Sequence, residues 1–149
     1  MRHVAPVADG SVRYIGGDIV PELVHGLEAS HASATRRFVH LDLTEDPLPA
    51  ADMLVCRDCL IHLSHADVAK TFRNVAASDF RYVAFTDFPL VPLNPDILTG
   101  SVRITNLRIA PFHLPPPLRE VVDEGGWVPS RKVLAVWSID QIRAAVRPR

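Results

Sequence analysis

Strand-like runs and helical patterns take turns along the first 86 residues, and this alternation constrains the fold more than any other feature. Val12 to Ile15 is a short β-branched and aromatic run ending at Gly16-Gly17, which predicts a strand entering a tight turn. Pro21 suits a first helical position and Glu22 the electropositive first turn, while Leu23, Val24 and Leu27 form an apolar stripe. Arg37 to Leu41 reads as a second strand. Asp52 to Arg57 carries Met-Leu-Val-Cys without a polar break, as in a strand covered on both faces. Ser64 and Asp67 fit a Ser-x-x-Asp capping box, and Val68, Phe72, Val75 and Ala76 recur at helical spacing, so a second helix precedes the strand at Phe80 to Thr86. This order predicts right-handed crossovers and an α/β fold with a mostly parallel sheet.

Beyond Asp87 the pattern breaks. Eight of the 13 prolines lie between Pro89 and Pro129, including the triplet Pro115 to Pro117, which forbids regular helix or central strand there. Leu90, Val91, Leu93, Ile97, Leu98, Leu107, Ile109, Phe112 and Leu114 make the segment apolar enough to pack, and the segment with Phe112 is a candidate lid over a substrate cleft. Lys132 to Ser138 predicts a last strand and Asp140 to Val146 a terminal helix, with Trp127 and Trp137 as core or loop anchors. No linker divides the chain. It reads as one domain, 1–149, made of a half at 12–86, a proline-rich loop region at 87–132 and a last strand and helix at 133–149.

Composition narrows the function classes. A chain of 149 residues can bury roughly 70% of its unfolded surface without disulfides or metals. Its net charge of -1, with 14 scattered Arg and two Lys, supplies no field that would gather nucleic acid, so a nucleic-acid substrate is disfavoured. The longest apolar run, Val133 to Trp137, is five residues against the ~20 of a membrane span, and no signal peptide is evident, so the chain is read as cytoplasmic. Cys56, Cys59, His62 and His65 form a C-x2-C-x2-H-x2-H string, but all four fall within ten residues with no long segment between pairs, and no metal is expected.

Ligands of an open parallel sheet bind at the carboxyl ends of its strands. Asp18, Asp42 and Asp58 each follow a predicted strand there, and an acid so placed can accept two hydrogen bonds from a ribose diol. Each could equally be an ordinary turn acid, since Asp bonds its own loop readily. His62, just beyond the strand bearing Arg57 and Asp58, titrates in the range useful for deprotonating a substrate hydroxyl; its bland alternative is a half-buried cap of the next helix.

With Tyr14-Ile-Gly-Gly-Asp-Ile-Val-Pro-Glu-Leu23, Phe38-Val-His-Leu-Asp-Leu43, Leu48-Pro-Ala-Ala-Asp-Met-Leu-Val-Cys-Arg-Asp58 and Leu60-Ile-His-Leu-Ser64 in this order, the sequence resembles a class I S-adenosylmethionine-dependent methyltransferase over about residues 12 to 138. The resemblance implies a Rossmann-like sheet and S-adenosylmethionine as cofactor. It assigns the ribose hydroxyls to Asp18 with Ile19 beside it and the adenine amino group to Asp42 with Leu43. Arg57 and Asp58 are assigned to the methionine end and substrate mouth. The implied reaction is methyl transfer to a small-molecule oxygen or nitrogen, with His62 as base. The Asn-Pro-Pro-Tyr type signature of amino-methylating nucleic-acid enzymes is missing; Asn94-Pro95-Asp96 is the nearest string.

The family's first strand and Gly-x-Gly-x-Gly loop are also missing, since only about ten residues precede Val12 and Met1 to Val7 resemble a remnant of the helix after that loop. The chain's sheet is therefore expected to lack the central strand between those bearing Asp18 and Arg57, so that the chain is an N-terminally truncated copy, or its true start lies upstream, or another segment fills the gap. Self-association by β-addition is expected at such a gap, and a non-catalytic interaction module is the alternative function.

Overall fold

The computed structural model describes residues 11–123 and 131–147; the readings of Met1 to Val7 and of Trp127 fall outside them. The described residues gather into two compact units, 1–49 and 50–149. Their strands form two separate sheets among the described residues.

The first unit is a parallel strand-helix-strand motif: β1 (Tyr14–Asp18), α1 (Pro21–His31) and β2 (Arg36–His40), in register from Tyr14 opposite Arg36 to Asp18 opposite His40. Gly16-Gly17 is not the turn that sequence predicts, because β1 runs through both glycines to Asp18. Neighbouring side chains explain them. A Cβ on Gly16 would stand 2.6 Å from Phe38 Cδ1, and one on Gly17 2.8 Å from Leu41 Cδ2. The glycines let the side chains of Phe38 and Leu41 close over the strand. Pro21 opens α1 as expected, but the apolar stripe is narrow: Val24 is buried while Leu23 is 47% exposed. Glu28 on α1 accepts the Phe38 N–H through Oε2 at 2.6 Å, tying helix to strand.

The second unit holds β3 (Met53–Cys56), a 3-10 turn (Leu60–His62), α2 (His65–Ala77), β4 (Tyr82–Asp87), β5 (Arg119–Val122), β6 (Val133–Ser138) and α3 (Ile139–Ala145). Its sheet has the order β3-β4-β6-β5, with β3 and β4 parallel and β6 antiparallel to both β4 and β5. Within the proline-rich region the sequence predicts only loop, and β5 is the correction. It lies at the sheet edge, where proline-flanked strands are tolerated, after Pro115 to Pro117 have ended.

Val68, Phe72 and Val75 of α2 are buried with Val83 and Phe85 of β4, Trp137 of β6 and Ile142 of α3. An aromatic row runs from Phe112 to Phe72 (6.1 Å), Phe85 (5.6 Å) and Trp137 (6.1 Å). Phe112 is thus buried against α2. Trp137 anchors both core and loop, its indole N–H donating to the Pro115 carbonyl at 2.7 Å. The long loop is pinned by polar braces: Asn94 Nδ2 donates to the carbonyls of Asn106 and Ala110, and Asn106 Nδ2 to those of Pro89 and Val91. Backbone polar groups are thereby satisfied without regular structure. Leu107 and Leu114 are buried, whereas Leu90, Leu93 and Leu98 are exposed.

Ser64 caps α2 by accepting the Asp67 N–H, but the reciprocal half of the box is replaced: the Ser64 N–H donates to Thr99 Oγ1 and Asp67 Oδ2 accepts the Ser64 hydroxyl. A full capping box appears instead on α3, between Ser138 and Gln141.

Candidate functional site

In the first unit the parallel pairing of β1 and β2 brings their carboxyl ends side by side, with Asp18 closing β1 and Asp42 two residues past β2. Asp18 Oδ1 accepts the Val20 N–H at 2.9 Å, the turn that starts α1. Asp42 Oδ1 accepts both the N–H and the hydroxyl of Thr44, at 2.8 and 2.7 Å. Each acid therefore does the ordinary work of a turn aspartate with one oxygen. In each, Oδ2 is left without a partner among the described residues, and both carboxylates are partly exposed. Ile19 beside Asp18 is 59% exposed, with its carbonyl bonded to His40 Nε2. Leu43 follows Asp42 and is half-buried.

In the second unit Arg57 and Asp58 leave β3 into a ring of four charges. Arg57 grips Asp123 through Nε (2.9 Å) and Nη2 (3.1 Å), which holds its guanidinium above the ordinary arginine value. Lys132, 8% exposed, lies 3.1 Å from Asp123 Oδ2 and 2.7 Å from Asp58 Oδ2, and Arg57 Nη1 closes the ring 3.4 Å from Asp58. Asp58 is also bonded twice to Thr86: its N–H donates to Oγ1 at 2.8 Å and its Oδ1 accepts the hydroxyl at 3.2 Å. Its backbone is left-handed, φ 57°.

Asp87 ends β4 as Asp58 follows β3, and it escaped the sequence reading although it too is an acid at a strand end. It is fully buried; Oδ1 accepts the Leu107 N–H and Oδ2 the Arg108 Nε–H, both at 2.8 Å. Burial pushes its carboxyl up, while the Leu107 N–H and the Arg108 charge draw it back. Arg108 continues to Glu120 (2.7 Å), which also binds Arg131 (2.8 Å). Thr86, Asp123 and Lys132 were equally invisible in sequence, because only the antiparallel return of β6 carries Lys132 to this sheet end.

His62 does not cap α2, a task that falls to Ser64. It is exposed at the end of the 3-10 turn, and its Nδ1 lies 2.9 Å from the Ser101 carbonyl. A carbonyl only accepts, so Nδ1 is the donor in this contact and Nε2 is the ring nitrogen left for other partners. The nearby Cys56 thiol is held protonated: its hydrogen bond to Cys59, together with burial, pushes it well above its ordinary value. Among the described residues no group of three or more His, Cys, Asp and Glu side chains is arranged to hold a metal ion, and no helix is long and apolar enough to cross a membrane.

No family model matches the sequence, and no curated protein matches it significantly. Solved structures do. The chain is similar to human N-acetylserotonin methyltransferase in complex with S-adenosylmethionine (13% identity, TM-score 0.57), covering 85% of this chain and 41% of that one. It is similar to magnesium protoporphyrin IX methyltransferase from Synechocystis PCC 6803 with bound S-adenosylhomocysteine (18%, TM-score 0.58; 89% and 67% covered). A pericyclic reaction enzyme also matches (13%, TM-score 0.53; 85% and 36% covered). The chain thus spans between about a third and two thirds of these proteins, and it has the class I methyltransferase fold. At these identities the likeness speaks for architecture, and one fold can host several chemistries.

Proposed function

We propose that the chain binds S-adenosylmethionine and serves methyl transfer to a small-molecule oxygen or nitrogen acceptor. The observation that carries this reading is the pair of strand-end acids, Asp18 and Asp42, each with one oxygen committed to its own loop and the other open. A carboxylate fixed in this way can accept hydrogen bonds from a ribose diol or an adenine amino group without moving. Ile19 and Leu43 supply apolar surface beside them. In the second unit Arg57 and Asp58 are assigned to the methionine end and the acceptor mouth.

The bound cofactor would supply an electrophilic methyl group on a sulfonium. The protein's own share is to orient the reactants and to accept a proton. His62, oriented by its Nδ1 contact to the Ser101 carbonyl, is the base for a hydroxyl acceptor through Nε2. A small acceptor is favoured over nucleic acid because, among the described residues, the charges at this sheet end pair with one another rather than form a basic track. Cys56 and Cys59, both carried as thiols, suit the reducing cytoplasm, the compartment this reading assigns. Self-association is proposed at β3, an edge strand whose Met53 and Val55 are 41% and 56% exposed.

The test is methyl transfer from isotopically labelled S-adenosylmethionine to a panel of phenols and amines, read by mass spectrometry. The reading expects product with at least one acceptor, and expects His62→Gln to reduce kcat for phenols with little change in cofactor affinity. Absence of product across the panel together with absence of cofactor binding would contradict it.

A further inference from the structure

Arg103 is the one arginine among the described residues that is buried, 6% exposed, and its guanidinium is only partly satisfied. Its backbone N–H donates to the Ile61 carbonyl at 2.9 Å and its Nη1 to the Leu63 carbonyl at 2.7 Å, which holds the residue against the segment leading into α2. Nε and Nη2, the two parallel donors along the other edge, are buried and have no partner among the described residues. A guanidinium stays charged inside proteins, and a buried charge that lacks a partner is strongly unfavourable. Burial accordingly draws Arg103 below the ordinary arginine value, and the Asp96 charge acts against this.

Elsewhere in the same unit this edge of an arginine takes a carboxylate. Arg57 donates through Nε and Nη2 to the two oxygens of Asp123, at 2.9 and 3.1 Å. Arg103 has no such acid among the described residues: Asp96 Oδ1 is engaged by the N–H groups of His65 and Ile97, at 2.7 and 2.8 Å. The wall beside the guanidinium is aromatic. Its central carbon lies 5.8 Å from the centroid of the Phe112 ring, and the His65 ring packs edge-on to the same Phe112 at 5.3 Å, with its Nε2 also buried and without a partner.

We propose that Arg103 anchors a carboxylate-binding site, its Nε and Nη2 gripping both oxygens of a small monocarboxylate beside Phe112 and His65. A monoanion neutralises the single guanidinium charge, whereas a phosphate dianion would leave charge uncompensated where water is excluded. Phe112 stands in a tight turn whose Phe112 and His113 N–H groups both donate to the Ile109 carbonyl at 3.0 Å, and this turn is the cover that shifts to admit the ligand. Every residue of the site lies in the second unit, so the inference goes beyond the proposed methyl transfer and does not rest on it.

The experiment follows the arginine Nε–H resonances of the full chain by heteronuclear NMR while sodium acetate is added, against sodium chloride of equal ionic strength. A saturable shift of the Arg103 Nε–H, assigned by its disappearance in Arg103→Met or Arg103→Lys, is expected with acetate and not with chloride, and inorganic phosphate should bind at least tenfold more weakly. The thermal midpoint of the wild type should rise with acetate concentration, as for any ligand of the folded state, while that of Arg103→Met should not respond. Arg103→Lys keeps the charge without the planar fork and should lose at least tenfold in acetate affinity. Should Arg103→Met fail to fold, the wild-type titrations and Arg103→Lys decide the matter. An Arg103 Nε–H that ignores acetate, or that shifts equally with chloride, means a fork served by buried water and overturns the inference. Tighter binding of phosphate than of acetate overturns it too, as does an acetate response retained in Arg103→Met, which would place the ligand elsewhere.

Discussion

Lys132 Nζ lies 2.7 Å from Asp58 Oδ2 across 74 positions of sequence, joining the start of β6 to the turn after β3. The contact is one side of a closed ring, so its removal is softened but not cancelled by the remaining Arg57–Asp123 and Arg57–Asp58 pairs. Lys132→Met leaves two carboxylates facing a single guanidinium and is expected to cost about 1–3 kcal/mol in urea unfolding. A loss below about 0.5 kcal/mol would mean that the ring is electrostatically idle.

Asp87 depends on fewer partners. Arg108→Leu removes the cation from a fully buried carboxylate that keeps only the Leu107 N–H, and about 3 kcal/mol of stability is expected to go with it. The urea midpoint should fall with an unchanged slope. Asp87→Asn introduced into Arg108→Leu should recover part of the loss, because the buried charge is then gone.

Two glycines make opposite predictions. Gly26 lies inside α1 with open space where a Cβ would be, so Gly26→Ala should stabilise by about 0.5–1 kcal/mol. Gly16→Ala drives a methyl to 2.6 Å from the Phe38 ring and should destabilise by roughly 1–3 kcal/mol. Thermal midpoints of the two variants, moving in opposite directions, check both.

How much of this was legible in sequence follows from the range of the forces involved. Local rules sufficed for α1, with Pro21 at its start, and for the Ser64 cap of α2, because those signals act within one turn. The same rules misread Gly16-Gly17 as a turn: the reason for the glycines is Phe38 and Leu41, more than 20 residues away. At the candidate site the strand-end position of Asp18 and Asp42 was readable from their place after apolar runs. The ring around Asp58 was not, since Asp123 and Lys132 meet it only through an antiparallel hairpin beyond the proline-rich loop.

Acid should expose the cap of α2. Thr99, Lys70 and Ser64 hydrogen bonds hold the Asp67 carboxyl below its ordinary value. A carboxyl lowered in the folded state contributes stability that is present above about pH 4 and lost as pH falls through its folded value. Asp67→Asn should therefore be less stable than wild type at neutral pH and should show a shallower loss of stability below pH ~4 in acid titration followed by circular dichroism. Parallel curves for the two proteins would contradict the assignment.

On the proposed function Asp18 presents an open carboxylate oxygen to a nucleoside cofactor, which calorimetry on two proteins can check. Wild-type chain titrated with S-adenosylmethionine should show a single site, and Asp18→Asn should weaken that site by about 1–3 kcal/mol, the scale of a charged hydrogen bond, with the fold retained by circular dichroism. No binding by the wild type, or an unchanged dissociation constant in the variant, would contradict the account.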